Sequence, residues 1–331
     1  MLRYCAFCDK KVEVKPIEKE MHVNIDKMDV VYKGIELRCP CCGEPVYDSK
    51  INDANIAAAN AAYRSMSNII SVDEINEILE RYDIGKKPLA QLLGWGEATL
   101  LRYFDGFTPK RDYSDRLKEL LNPYKMLQVL NANGTVLSDV ARRKTMDKVN
   151  ALINEKGNDD KAFGVVNFFL ANIDVENEET ITHMKLQKLL YYVQAWSLAL
   201  LHHVMFTDRI EAWAHGPVIP NVYQTFKVFG REPIAAIEQW DDSSFNDEEK
   251  NVLRIVKKIY GNFDAPVLRK FTHSEDPWIK ARHGLPDNEN SNNEISNNDM
   301  RAFYCGKGKS YEEIKEYVLQ MHASTMGITF N

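Results

Sequence analysis

Apolar positions recur every three or four residues along most of this chain, but not at its start. The stretch KKVEVKPIEKEMHVNIDKMDVVYKGIELR, residues 10–38, alternates apolar and polar side chains instead, the period-two signature of strands. INDANIAAANAAYRSM then reads as an alanine-rich connecting helix. Ser71 is placed as the N-cap of a helix carrying Ile75, Ile78 and Leu79 on one side. Two short helices are expected within PLAQLLGWGEATLLRYFDG, the first opened by Pro88 and the second spanning Glu97 to Phe104. SDVARRKTMDKVNALINEK, residues 138–156, predicts a longer amphipathic helix.

Farther along, FGVVNFFLAN and HMKLQKLLYYVQAWSLALL are strongly apolar helices, the second placing Leu186, Leu189, Leu190, Val193 and Leu200 at helical spacing. IEAWAHGPVIP reads as a short strand and turn. Helices follow at NVYQTFKVFG, DEEKNVLRIVKKIYG, APVLRKFTH and SYEEIKEYVLQMH. The asparagine-rich segment DNENSNNEISNND, residues 287–299, is expected to be mobile or to wrap on a partner. The whole pattern predicts a mainly α protein of the α+β class in three parts. These are a ribbon-like module over residues 1–50, an all-helical domain over 71–135, and a mainly helical domain with a small β element over 160–331. GNDDK, residues 157–161, marks the expected boundary before the last part.

Hydrophobic content of 44% and charged content of 27% are those of an ordinary globular protein. No stretch approaches 18 apolar residues, so no membrane contact is expected. The net charge of −6 is unevenly spread. Residues 81–150 carry 13 Lys and Arg against 8 Asp and Glu, a net +5 between two acidic ends. Any nucleic-acid contact therefore belongs in that middle, although a solvated helical face would look the same.

Cysteine spacing changes the picture of the first part. Cys5 with Cys8 and Cys39 with Cys42 form two Cys-x-x-Cys pairs, and each gap lets one tight turn present two thiolates to one ion. In CPCCG, Pro40 sets the turn and Gly43 relieves the backbone behind it. The pairs are 30 residues apart, Asp9 to Arg38, a wider gap than the roughly 15–20 of compact ribbons. One structural Zn2+ held by these four cysteines is the expectation. The competing reading is two disulfides, but 6 cysteines in 331 residues do not make a disulfide scaffold. Cys41 is a spare, and Cys305 stands alone, which fits a reducing, cytoplasmic setting.

The middle part has spacing that suits a helix-turn-helix. That motif needs a small residue where two helices cross, a glycine four positions later, and an apolar residue six further on. Ala90, Gly94 and Leu100 meet all three requirements, with Leu89, Leu93, Leu100 and Tyr103 as the buried side. Glu97, Ala98, Leu101 and Arg102 then face outward on the helix that would enter a DNA major groove. Arg102 is the candidate base reader, since a guanidinium can pair with both acceptors of guanine; a phosphate contact or surface ion pair is the blander role. Lys110 and Arg111, and Lys86 and Lys87, are placed for phosphates. Arg142, Arg143, Lys144 and Lys148 are read by default as a solvated linker face.

Catalytic patterns are sparse. The chain has no glycine-rich phosphate loop, no nucleophile elbow and no His-Glu-x-x-His, so no enzyme is expected. His215 in AWAHGP and His273 in FTHSEDPW are the most site-like residues of the last part, and a packed, hydrogen-bonded corner explains both more simply. Glu275 and Asp276 are read as a helix start, where negative charge suits the dipole. Trp196, Trp213, Trp240 and Trp278 are assigned to the core, any exposed member being an anchor for a protein partner.

MKLQKLLYYVQAWSLALLHHVMFTDRIEAWAHGPVIPNVYQTFKVFG, followed by LRKFTHSEDPWIKAR, NEIS and NDMRAFY, closely resembles the Panacea domain, also called the SocA-like antitoxin domain. The resemblance covers roughly the last half of the chain. The first half resembles the MqsA-type antitoxins, in which a zinc module with the same wide gap joins a helix-turn-helix. Cys5, Cys8, Cys39 and Cys42 match that family's zinc ligands, and Arg102 its recognition-helix arginine. Ala98 stands where that family has a base-reading asparagine, so a shared operator is not implied. Together these imply an antitoxin of a bacterial or phage type II toxin–antitoxin pair. Its last domain would neutralise a cognate protein toxin, with Trp213, His215, His273 and Trp278 as candidate toxin contacts. Its first half would bind operator DNA as a homodimer and autoregulate the operon. The MqsA-type zinc module contacts the toxin, whereas here it would brace the helix-turn-helix or assist dimerisation. Two rival readings are a stand-alone zinc-containing transcriptional regulator with a ligand-sensing last domain, and an enzyme using His215 and His273.

Overall fold

Alternation at the start of the chain does make strands, and helical periodicity makes helices nearly everywhere else. The computed structural model describes residues 1–25 and 27–325; residue 26 and residues 326–331 lie outside the described residues. The chain divides into two compact units, Met1–Leu121 with Asn133–Thr145, and Asn122–Ala132 with Met146–Asn331.

In the first unit, β1 (Leu2–Cys5) and β2 (Lys10–Glu13) form a short antiparallel hairpin. A second hairpin follows, β3 (Pro16–Ile25) and β4 (Met28–Leu37), paired residue for residue from Pro16 opposite Leu37 to Ile25 opposite Met28. Val30, Gly34 and Leu37 of β4 are buried, and α1 (Ser49–Met66) packs against that strand. Asp48 caps α1 by accepting from the Ile51 N–H at 3.0 Å and also pairs with Arg3. Asn55 of α1 acts as a short surrogate strand. Its Oδ1 accepts from the Ile35 N–H and its Nδ2 donates to the Ile35 carbonyl, both at 2.8 Å, which satisfies one edge of β4. Pro16–Ile25 is exposed or half-exposed along its whole length.

Five helices complete this unit or lead out of it. α2 (Val72–Arg81) opens with a capping box between Ser71 and Glu74, as the serine predicts. α3 (Lys86–Leu92) and α4 (Glu97–Phe104) are joined by a turn in which Gly94 has φ +71°. The Gly94 N–H returns to the Gln91 carbonyl and the Trp95 N–H to that of Ala90, a Schellman cap that needs a residue at home with positive φ. α5 (Arg111–Glu119) follows, and α7 (Asp139–Asp159) begins here and ends in the second unit. Arg64, nearly buried on α1, donates to the Gly106 and Phe107 carbonyls at 3.1 and 2.6 Å and so holds the turn behind α4. Arg64→Ala orphans both carbonyls and should cost about 3 kcal/mol, read as faster amide hydrogen exchange in α1 and residues 105–107.

The second unit is built around one enclosed helix. α6 (Pro123–Asn133), α8 (Lys161–Ala171), α9 (His183–Leu200), β5 (Glu211–Trp213), β6 (Gly216–Val218) and α10 (Pro220–Phe226) come first. α11 (Asp247–Tyr260), α12 (Ala265–Ser274), α13 (Asp276–Ala281), α14 (Asn297–Tyr304) and α15 (Tyr311–Thr325) follow. Every residue of α9 from Lys185 to Ala199 is buried, with α8, α11, α12 and α14 packed around it. Its polar side chains tie down loops rather than reach water. Lys185 Nζ donates to the Gly261 carbonyl at 2.7 Å, and Gln194 accepts from the Met205 N–H at 2.9 Å while donating to the Phe206 carbonyl at 3.1 Å.

The fold class is thus the expected one, mainly helical with small two-stranded antiparallel sheets. GNDDK joins two helices directly: α7 runs through Asp159, Asp160 caps α8, and Gly157 lies so close to Asn167 that a Cβ there would come within 2.5 Å of its Nδ2. One local expectation is corrected. The 287–299 segment is neither free nor waiting for a partner. The Ala212 N–H donates to the Asn293 carbonyl at 2.8 Å, the Ile295 N–H to that of Ile210 at 2.7 Å, and Ile295 is buried. The Asn293 side chain also donates to the Ala281 carbonyl at 2.9 Å, a pairing that composition alone cannot show. Among the described residues, no helix is long and apolar enough to cross a membrane.

Candidate functional site

The β1–β2 turn supplies Cys5 and Cys8, and the turn after β4 supplies Cys39 and Cys42. Their four sulfurs lie within 4.8 Å of one another. Cys5 and Cys42 are 3.7 Å apart and Cys8 and Cys39 3.8 Å. Those separations exceed any disulfide, and all the cysteines are free thiols. They match the sulfur–sulfur edge of about 3.8 Å in a thiolate tetrahedron around an ion 2.3 Å from each corner. The second turn is shaped by the Gly43 N–H bonding to the Cys39 carbonyl at 2.9 Å, with Gly43 at φ +76°. The Cys41 N–H points at the Cys39 sulfur at 3.4 Å, while the Cys41 side chain is exposed.

The electrostatics of the cluster call for a cation. Desolvation opposes ionisation of Cys39, but the N–H groups of Cys41 and Cys42 draw its thiol down to about 6. Cys8 is pushed up to about 12, first by its hydrogen bond with Cys42 and then by desolvation. Thiolates this close repel one another, so full ionisation needs a divalent ion at the centre. The donor set and its geometry fit a tetrahedral metal site closed to other ligands.

On α4, Leu100 and Tyr103 are buried, while Glu97, Ala98, Leu101 and Arg102 are all exposed on the outer side. Leu101 is an unusually bare leucine at 39% exposure. Lys86 and Lys87 fasten α3 to α4: Lys86 Nζ sits 3.4 Å over the Phe104 ring and Lys87 lies 3.4 Å from Glu97. Lys110 is exposed at the start of α5, whereas Arg111 donates to the Ser67 carbonyl at 2.9 Å and faces Asp115 at 3.2 Å.

In the second unit, three of the four singled-out residues meet, Trp213 through its main chain, and Trp278 is buried at 2% exposure, which removes it from the candidate toxin contacts. Trp278 Nε1 donates to the Trp213 carbonyl at 3.1 Å, and His273 stacks on Trp278 with ring centres 3.8 Å apart. Trp213 Nε1 donates to Glu211 at 2.6 Å, and His273 Nδ1 lies 3.3 Å from Asp287. Burial lowers the His273 pKa, against the opposing pull of Asp287. His215 is exposed in the β5–β6 turn, and among the described residues no hydrogen bond joins it to His273. Lys188 lies under the same turn. Its buried Nζ donates to the Pro217 carbonyl at 3.0 Å, and burial, followed by the charge of Arg269, brings it down to about 7.

Sequence reasoning missed the least ordinary group in this unit. Glu275 precedes α13 but makes no capping bond. Its carboxyl is buried among tyrosines, accepting from Tyr317 at 3.3 Å, with the Tyr192 and Tyr304 hydroxyls beside it. Oε2 has no hydrogen-bond partner. Burial pushes Glu275 up to about 8, against the opposing pull of Tyr304, Tyr317 and Tyr192. The acid is therefore held toward its neutral form.

No curated protein and no solved structure matches this chain. Residues 186–279, from α9 into α13, match the family model described as antitoxin SocA-like, Panacea domain. That stretch holds most of the enclosed helix, the β5–β6 turn, the Trp213–His273–Trp278 corner and Glu275, so this part of the chain is similar to SocA-like Panacea domains.

Proposed function

We propose that this chain is the antitoxin of a type II toxin–antitoxin pair, acting by binding and carrying no catalytic activity. The observation that carries the reading is the SocA-like antitoxin match over residues 186–279. The Panacea domain binds and silences a cognate protein toxin in the cytoplasm, and exposed His215 with half-buried Trp213 and His273 lies on the contact surface, backed by Trp278, which is buried at 2% exposure. The first unit binds operator DNA of its own operon as a homodimer and autoregulates it. Its support is the short turn between α3 and α4 together with the exposed set Glu97, Ala98, Leu101 and Arg102. Lys110 and Arg111 neutralise phosphates. One structural Zn2+ occupies the Cys5, Cys8, Cys39 and Cys42 cluster.

Co-expression tests the main claim: the full chain should restore growth to cells making the toxic product of an adjacent gene. Failure with every adjacent product would remove the antitoxin reading. Arg102→Ala should weaken operator binding by about 1–3 kcal/mol, roughly tenfold to a hundredfold, in a titration at fixed salt. An unchanged affinity would take α4 out of the groove.

A further inference from the structure

We infer that β3 is the homodimer interface, pairing with β3 of a second copy across a twofold axis through Met21. The inference deepens the dimeric part of the proposed function and is independent of toxin neutralisation. A ten-residue strand paired on one side only presents a row of free N–H and C=O groups, and proteins rarely leave so long an edge bare. The far edge of β4 is engaged at Ile35 by the Asn55 amide, whereas among the described residues no backbone hydrogen bond reaches β3 from anything but β4. Ile17 at 48% exposure and Val23 at 36% lie on that same strand.

Its sequence selects one register. Two antiparallel copies related by a twofold axis normal to the sheet pair residues symmetrically about a central residue. Centring on Lys19 or Glu20 sets like charges face to face, and centring on His22 sets two histidines together. Met21 at the centre leaves no like pair. Glu20 then faces His22 twice, Ile17 faces Ile25 twice, Lys19 faces Val23 and Glu18 faces Asn24. Both side chains remain accessible, that of Glu20 being 73% and that of His22 57% exposed, although the His22 ring also lies 3.2 Å from Asp29 of its own hairpin. The outcome is a four-stranded antiparallel sheet with β3 strands in the middle and both α1 helices on one face.

Sedimentation of the full-length, zinc-loaded chain tests this. His22→Glu puts four carboxylates in two facing pairs and should weaken the dimer at least about tenfold. Adding Glu20→Lys to it should restore self-association, because each lysine then faces a glutamate. Unchanged zinc content and far-UV circular dichroism verify that His22→Glu still folds. Independently, Met21→Cys should give a covalent dimer under mild oxidation that the wild-type chain does not give, since directly opposed strand residues are within disulfide reach. A monomeric wild-type chain, a dimer indifferent to His22→Glu, or a Met21→Cys chain that does not cross-link overturns the inference. So does a His22→Glu chain that loses its hold on the toxin but still dimerises, which would give β3 to the toxin instead. None of these outcomes alters the growth-rescue result that tests the antitoxin reading.

Discussion

Replacing Cys39 and Cys42 by serine should abolish binding of one zinc ion per chain and unfold the first ~50 residues, measured by metal analysis and by amide exchange across β1–β4. The expected effect is large because there is little else to hold that region. Its buried core is Cys5, Val12, Val14, Leu37, Cys39 and Val46, with Cys8, Cys42 and Ile51 packed at the margin. Four of those nine are the proposed ligands. The remaining apolar side chains contribute about 2 kcal/mol each at best, against an ordering cost of roughly 1–2 kcal/mol for every residue of the two turns and hairpins. A structural zinc ion contributes on the order of 10–16 kcal/mol to such modules. α2 to α5 have their own buried core, including Ile75, Ile78, Leu89, Leu92 and Leu100, and should keep their protection. Metal content staying at one per chain in the double variant would show that other residues hold the ion.

Glu275→Gln should make the second unit more stable at alkaline pH and remove a slope from its pH dependence. The acid ionises near 4.5 in an open chain and at about 8 in its tyrosine cage. Between those values the folded state keeps a proton that the unfolded state has lost, so rising pH favours unfolding. The stabilisation is fully present below pH 4.5, falls by about 1.4 kcal/mol per pH unit, and is gone above about 8. The total is roughly 5 kcal/mol for this one group. Glutamine keeps the shape and never ionises, and its amide can donate to the Tyr192 hydroxyl, which has no hydrogen-bond partner. Denaturant titrations of both chains at pH 6 and pH 9 measure the difference. Equal slopes in the two proteins would mean that Glu275 does not titrate in this range.

Local signals in the sequence were legible where neighbours in the chain decide the outcome. Ser71 and Glu74 form a cap four residues long, Gly94 has to accept its positive φ inside one turn, and the limits Glu97 and Phe104 are those of α4. Each thiol pair likewise belongs to a single turn. Long-range pairings left no comparable trace. The Glu275 cage draws Tyr192 from α9, Tyr304 from α14 and Tyr317 from α15, and nothing in their spacing says that they converge. Arg282 is buried and, among the described residues, pairs with no carboxylate, donating instead to the Ala212, Pro286 and Glu289 carbonyls, so charge pairing could not have placed it. The 287–299 segment looks like disorder by composition, yet its main chain from Asn293 to Ile295 acts as an added edge beside β5. Asn55 and Arg64 sat unnoticed in an alanine-rich stretch for the same reason, since their partners lie 20 and 42 residues away.

The enclosure of α9 bears on how such domains diverge. A helix covered on every side cannot touch another molecule, so the residues from Lys185 to Ala199 are silent about what the domain binds. Choice of target must be written on the outer helices and turns, where substitutions leave the interior undisturbed. Under the proposed binding role, a change of partner should require no change at any position from Lys185 to Ala199, all of which are buried.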